Sequence, residues 1–161
     1  MTTREAFLKS FTTNVISVHT FTETFIDLIL KSPRARIVFV TSGIGSLTTH
    51  SNPNFQFNQS PPAGWPKPYQ LNNTTYRTSK TAMNMMALEW KRTLRNDNVK
   101  VNLVTPGLSA TAVGGTDPDV YRKFGADEPS VGGNFIRTVI EGKRDADEGI
   151  GMVMGSGVIP W

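Results

Sequence analysis

The residues best suited to chemistry lie in the run Tyr76-Arg-Thr-Ser-Lys80. Side chains four apart on a helix share a face, so the Lys80 ammonium can lie near the Tyr76 phenol. A free phenol holds its proton up to a pH of about 10, and a neighbouring cation favours the phenolate and lowers that value. A tyrosine so placed can give or take a proton near neutral pH. Ser42 closes the apolar run Ile37-Val-Phe-Val-Thr-Ser42. If that run is a strand beside the start of the Tyr76 helix, the serine hydroxyl can hydrogen-bond a carbonyl or alcohol oxygen. Asn14 stands inside a helical pattern, where asparagine is a mediocre helix former. Its amide can break the helix locally and hold a water next to Lys80; an exposed or locally bonded amide is the plainer alternative.

The elements that must carry these groups are readable. Thr2-x-x-Glu5 fits a capping box, and Leu8, Phe11, Val15, Val18, Phe25 and Ile29 recur at helical spacing, with Pro33 just beyond. This predicts one helix, or two abutting helices, over about residues 3–31. Residues 37–40 form a continuous β-rich run, expected to be buried on both faces as in a parallel sheet. Residues 43–75 read as a long irregular loop, with Pro53, Pro61, Pro62, Pro66 and Pro68 among many Asn, Ser and Thr. Such a loop is either a substrate lid or a passive insertion. A second helix is expected over about 75–95, its apolar stripe made by Met83, Met86, Trp90 and Leu94. Residues 99–104 form the next strand, ending at Pro106-Gly107. A helix over about 130–142, a strand over about 150–154 and a turn at Gly155-Ser-Gly157 follow. Helix and strand alternate, which predicts a single α/β domain over residues 1–161 built on a parallel sheet. Ligands of such sheets sit outside the carboxyl ends of the strands, the side of both Ser42 and Pro106-Gly107.

Composition narrows the function classes. The chain has 161 residues and no cysteine, so disulfides and thiolate metal sites are excluded and a reducing, cytoplasmic setting is the simple reading. The two histidines, His19 and His50, show no ligand spacing for a metal. Net charge is +4, but the basic residues are scattered without interleaved aromatics, which argues against a nucleic-acid surface. No apolar run approaches the ~18 residues that would span a membrane. His50, in the long loop, reads as a surface histidine.

The ordered set closely resembles the short-chain dehydrogenase/reductase family. It comprises Thr13-Asn14-Val15, the strand ending at Ser42, Tyr76-Arg-Thr-Ser-Lys-Thr-Ala82, and Val99-Lys-Val-Asn-Leu-Val-Thr-Pro-Gly107 with Thr111 beyond. The resemblance runs from the Asn14 helix to the last strand, and the final stretch is similar to fungal members of the carbonyl-reductase type. It implies a partial Rossmann-like, doubly wound parallel sheet. It also implies an oxidoreductase that interconverts a carbonyl and a secondary alcohol by hydride transfer with NADP or NAD. In that family Tyr76 would be the acid/base and Lys80 would bind the nicotinamide ribose and depress the Tyr76 pKa. Ser42 would hold the substrate oxygen and Asn14 the proton-relay water. Pro106, Gly107 and Thr111 would line the nicotinamide. The Asn14 and Tyr76 helices of the family often pack against a second subunit, which implies a possible homodimer.

Two departures stand out. Ser42 and Tyr76 are further apart than in the usual member, which the Pro-rich insertion accounts for. No Gly-rich phosphate turn follows a strand near the amino terminus, and Gly43-Ile-Gly45 lacks the third glycine and follows the wrong strand. The phosphate turn and the ribose-selecting residue would lie before Met1, in about a hundred further residues. A chain carrying only the catalytic half is expected to have an unpaired edge at residues 37–40, limited stability and weak cofactor affinity. A truncated gene model is the simplest expectation for so short a chain, with a genuine short product as the alternative. Two rival readings remain. One is a non-catalytic remnant serving as a folding or dimerisation module. The other, a nucleotide-sugar epimerase with the same Tyr/Lys pair, fits less well because too few residues follow Gly107 for its substrate domain.

Overall fold

The computed structural model describes residues 1–67, 73–149, 151–155 and 157–161. Pro68, the expected strand start at Ile150 and the middle of the turn at Ser156 lie outside the described residues.

The amino-terminal helical pattern forms α1 (Thr3–Phe11) and α2 (Ser17–Ile29), joined by a π-helical turn, Thr12–Ile16. The capping box is formed: Thr2 accepts from the Glu5 amide and Glu5 accepts from the Thr2 amide. β1 (Arg36–Val40) follows, and β2 (Lys100–Val104) lies parallel to it with Val40 opposite Val104. Between them α4 (Thr74–Thr93) is the long helix, as its apolar spacing predicts. α5 (Pro118–Lys123), α6 (Pro129–Ile140), β3 (Met152–Met154) and β4 (Gly157–Ile159) complete the chain.

Three expectations are corrected. The segment 43–75 is not wholly irregular. It contains 3₁₀ turns at Gly43–Gly45 and Gln56–Asn58 and the short helix α3 (Leu47–Ser51), which Ser46 caps by accepting from the Thr49 amide. Short helices of this size bury no apolar stripe, so hydropathy periodicity does not show them. The sheet is not parallel throughout: the order is β1-β2-β3-β4, with β4 antiparallel to β3. Finally, β1 is not buried on both faces. Ile37 and Phe39 are buried, Val38 is half-buried and Val40 is exposed, because β1 pairs with β2 alone among the described strands and so stands at the edge.

The sheet has helices on both faces. Ile37, Phe39, Val101 and Leu103 face α2 and α4, meeting Val18, Ile26, Met86 and Trp90. The alternate residues Val38, Val104 and Val153 face α6 at Phe135, Ile136 and Val139. Period-2 alternation therefore divides the core into two layers. Beside β1's open edge, α2 lines an apolar groove of about 530 Å³ with Val18, Phe21 and Phe25.

The amino end of the sheet is held by charge. Arg36 at the start of β1 pairs in bidentate fashion with Asp145, at 2.5 and 3.0 Å. Glu148 accepts from the Val101 amide at 3.1 Å and pairs with Lys100 at 3.1 Å and Lys91 at 3.3 Å. Burial raises the Glu148 carboxyl's pKa, but the Val101 amide, Lys100 and Lys91 outweigh that and hold it below the ordinary carboxylate range. A carboxyl depressed in the folded state contributes stability above its unfolded pKa of about 4.3 and loses it as pH falls through the folded value. Glu148→Gln is therefore expected to cost about 1–2 kcal/mol near neutral pH, a Tm decrease of about 3–6 °C. The gap from the parent protein should close below about pH 4. Calorimetry across pH 3–7 checks this, and a gap independent of pH would contradict it.

Candidate active site

The site is built at the carboxyl ends of β1 and β2. The parallel register makes Ser42 and Pro106, each two residues past the paired Val40 and Val104, leave the sheet side by side. Thr41 donates its amide to the Val104 carbonyl at 2.8 Å, and the Gly43 amide donates to the Thr105 hydroxyl at 3.2 Å. The Ser42 turn and the Pro106-Gly107 turn are thus hydrogen-bonded neighbours. Gly107 has φ 85°, a left-handed conformation that suits glycine, and a Cβ there would meet nothing within 4 Å. The rear of that turn is closed by α6, where a Cβ on Gly132 would lie 2.9 Å from the Pro106 Cβ.

α4 is pressed onto the same end. A Cβ on Gly45 would sit 2.8 Å from the Lys80 Cβ and 3.2 Å from its carbonyl carbon, so only glycine allows this approach. Gly43-Ile-Gly45 is therefore packed against a helix and does not form an open phosphate cradle. Lys80, 8% exposed, donates to the Val40 carbonyl at 2.9 Å, with the Met83 sulfur at 4.0 Å. Its ammonium stands 5.8 Å from the centre of the Tyr76 ring. Burial pushes the Lys80 pKa down, as desolvation does to any cation. Tyr76, in the first turn of α4, is 40% exposed, and Ser42 is half-buried. Neither hydroxyl makes a hydrogen bond among the described residues, so both can take a ligand's oxygen.

Asn14 sits at the middle of the π-helical turn, where the Ser17 amide reaches back to the Thr12 carbonyl. The helix is locally widened there, as the residue type suggests. The Asn14 amide reaches α4, but at Ser79: its Nδ2 donates to the Ser79 hydroxyl at 2.9 Å, and that hydroxyl donates to the Tyr76 carbonyl at 2.9 Å. Asn14 is thus connected to the turn carrying Tyr76 through a fully buried serine. Thr111 is half-buried in the loop beyond Gly107, its amide donating to the Ser109 carbonyl. The structure does not join its side chain to Tyr76 or Lys80.

Sequence reasoning misses Ser79, Thr81, Asn84 and Thr105. Thr81 and Asn84 are detectable, as they continue from Arg77 at four- and three-residue steps. Thr105 carries no signal apart from its place at a strand end.

Helices on both faces of a mainly parallel sheet, with the Tyr76/Lys80 pair at its carboxyl edge, define an α/β protein of Rossmann-like fold. No family model matches the chain. It is 43% identical over 151 residues to the short-chain dehydrogenase/reductase eupG of Phoma sp, an alignment covering 90% of this chain and 54% of that protein. It is 41% identical over 146 residues to the short-chain dehydrogenase/reductase tropE of Talaromyces stipitatus, covering 91% of this chain and 55% of that protein. Among solved structures it is similar to the carbonyl reductase Sniffer of Caenorhabditis elegans, with a TM-score of 0.52 and 26% identity over 66% of this chain and 44% of that one. The chain belongs to the short-chain dehydrogenase/reductase family, and it spans about half the length of the curated relatives it matches.

The close approach at Gly45 is directly testable. Gly45→Ala must push the Ser42 turn off α4, and overpacking of this kind costs about 1–3 kcal/mol. A Tm equal to that of the parent protein would show that helix and turn are not in such tight contact.

Proposed function

We propose that this chain carries the proton-transfer machinery of an NAD(P)-dependent oxidoreductase that interconverts a carbonyl and a secondary alcohol. The observation that carries the reading is Lys80. A buried ammonium held on the Val40 carbonyl, beside the Tyr76 ring, stabilises negative charge as the phenol gives up its proton. In this reading Tyr76 donates its proton to the substrate oxygen on reduction and accepts it on oxidation. Ser42, on the adjoining strand end, holds that oxygen by a hydrogen bond. Asn14, through Ser79, steadies the turn bearing Tyr76, and its place in the widened helix suits a relay water.

The residues fit one end of a nicotinamide cofactor. Lys80 would hold the ribose, and Pro106, Gly107 and Thr111 would line the ring, where Gly107 leaves open space. NADP or NAD, when bound, supplies or accepts the hydride. The absence of cysteine suits a reducing compartment such as the cytoplasm, and no helix among the described residues is long and apolar enough to cross a membrane.

Turnover at saturating NADPH or NADH with a panel of carbonyl compounds tests the role of the phenol. Tyr76→Phe is expected to lower kcat by at least about a hundredfold; unchanged turnover would end the proposal.

A second reading, a non-catalytic folding or dimerisation module, draws on a different observation. Leu8 and Ile16 are exposed at 58% and 56% along α1 and the π turn. Apolar side chains displayed along one continuous helical stretch suit a second copy packed against the Asn14 and Tyr76 helices. Sedimentation equilibrium checks this surface: a homodimer that Leu8→Glu weakens is expected, and a monomer at tens of micromolar (about the range of weak association) would contradict it.

A further inference from the structure

The helix α4 carries two adjacent stripes. Tyr76, Lys80 and Met83 form one. Arg77, Thr81 and Asn84, shifted by a single residue at the same four- and three-residue steps, form the other. The second stripe is polar, and all three of its side chains are bonded to the segment that leaves Ser42.

At the inner end, Asn84 is 2% exposed and spans Ser42. Its Oδ1 accepts from the Thr41 hydroxyl at 2.5 Å, and its Nδ2 donates to the Gly45 carbonyl at 3.3 Å. Thr81 donates its hydroxyl to the same carbonyl at 2.8 Å. At the outer end, Arg77, next to Tyr76, donates to the Asn58 side-chain oxygen at 3.0 Å and to the Phe57 carbonyl at 2.7 Å, and also contacts His50 Nδ1. Asn58 then gathers its own segment: its two side-chain N–H groups, one of them shared, reach the carbonyls of Thr49, His50 and Asn52 at 2.8, 3.1 and 2.9 Å. The segment thus departs beside one candidate site residue and is pinned again beside another. Among the described residues Arg77 Nε is buried without a partner, a cost that an apolar residue would avoid. The fork is therefore a poor choice for stability alone and a good one for fixing geometry.

We propose that the stripe Arg77, Thr81 and Asn84 is the positioning element of the site. It holds Ser42 in register with Tyr76 and clamps residues 46–58 as a wall beside the Tyr76 turn, so that this wall decides which carbonyl compounds are admitted. The selection step rests on the oxidoreductase reading above; the clamp does not.

Hydrogen exchange followed by mass spectrometry on the full chain reads the clamp without turnover. In Arg77→Ala, amides of residues 47–58 are expected to exchange about tenfold faster or more, while those of β2 keep the parent rate. Asn58→Asp keeps the acceptor for Arg77 and loses the three donations, so it should free residues 49–52 alone. Arg77→Lys offers one donor group in place of the fork and should restore only part of the protection. Unchanged exchange in Arg77→Ala, or a rise shared equally by β2, overturns the clamp. In the cofactor-loaded enzyme, Arg77→Ala should change KM about fivefold or more for larger carbonyl compounds, with kcat altered less. A uniform fall in kcat with KM unmoved overturns the selective role. Parent protein inactive with every carbonyl tested, at NADPH and NADH concentrations shown to saturate it, would overturn the oxidoreductase reading while the exchange result still decides the clamp.

Discussion

The arrangement depends on one hydrogen bond, from the Lys80 ammonium to the carbonyl of Val40 at 2.9 Å. Val40 is the last residue of β1, and Lys80 lies in the second turn of α4. A cation that is nearly out of water, with no carboxylate beside it among the described residues, is costly to keep charged. The lowered pKa of Lys80 reflects that desolvation. Its position is tolerable because α4 packs so close to the strand end that the ammonium finds a strong acceptor. Gly45 makes the approach possible, since any side chain there would collide with Lys80 itself. One glycine, one carbonyl and one lysine thereby set the distance between the helix and the sheet.

The rest of the site inherits its geometry from that contact. The parallel pairing of β1 with β2 places the Ser42 and Pro106-Gly107 turns together, and Thr105 bonds one to the other. The widened turn at Asn14 reaches across to Ser79 and so supports Tyr76 from the opposite side. Charge pairs at the far end of the sheet, through Asp145 and Glu148, brace the amino ends of the strands. Rigidity at one end leaves the other free to present groups for chemistry, the usual division in α/β sheets. Among the described strands β1 is paired along one edge only, and an apolar groove lies beside the other.

Much of this is legible in the order of the residues. The capping box at Thr2 and Glu5, the long helix bearing Tyr76 and Lys80, and the two parallel strands follow from periodicity and residue type, because each depends on near neighbours. The polar strand ends are readable for the same reason. The features that local pattern conceals depend on distant residues. β1 reads as a strand covered on both faces because its composition is apolar throughout, yet Val40 is exposed because no further described strand or helix lies over it. The segment 43–75 reads as featureless because its short helices are held by side-chain hydrogen bonds from α4, which leave no hydropathy signature.

By itself, the sequence determined which groups can do chemistry and that Tyr76 and Lys80 share a helix face, since a helical repeat is a local property. It also determined the family, through motifs kept in order along the chain. Only the tertiary structure decided where the Lys80 proton donors go, that Asn14 reaches Ser79, and that Arg77, Thr81 and Asn84 grip the loop. Those contacts join residues dozens of positions apart, and their distances depend on how closely helix and sheet pack, which no local pattern encodes.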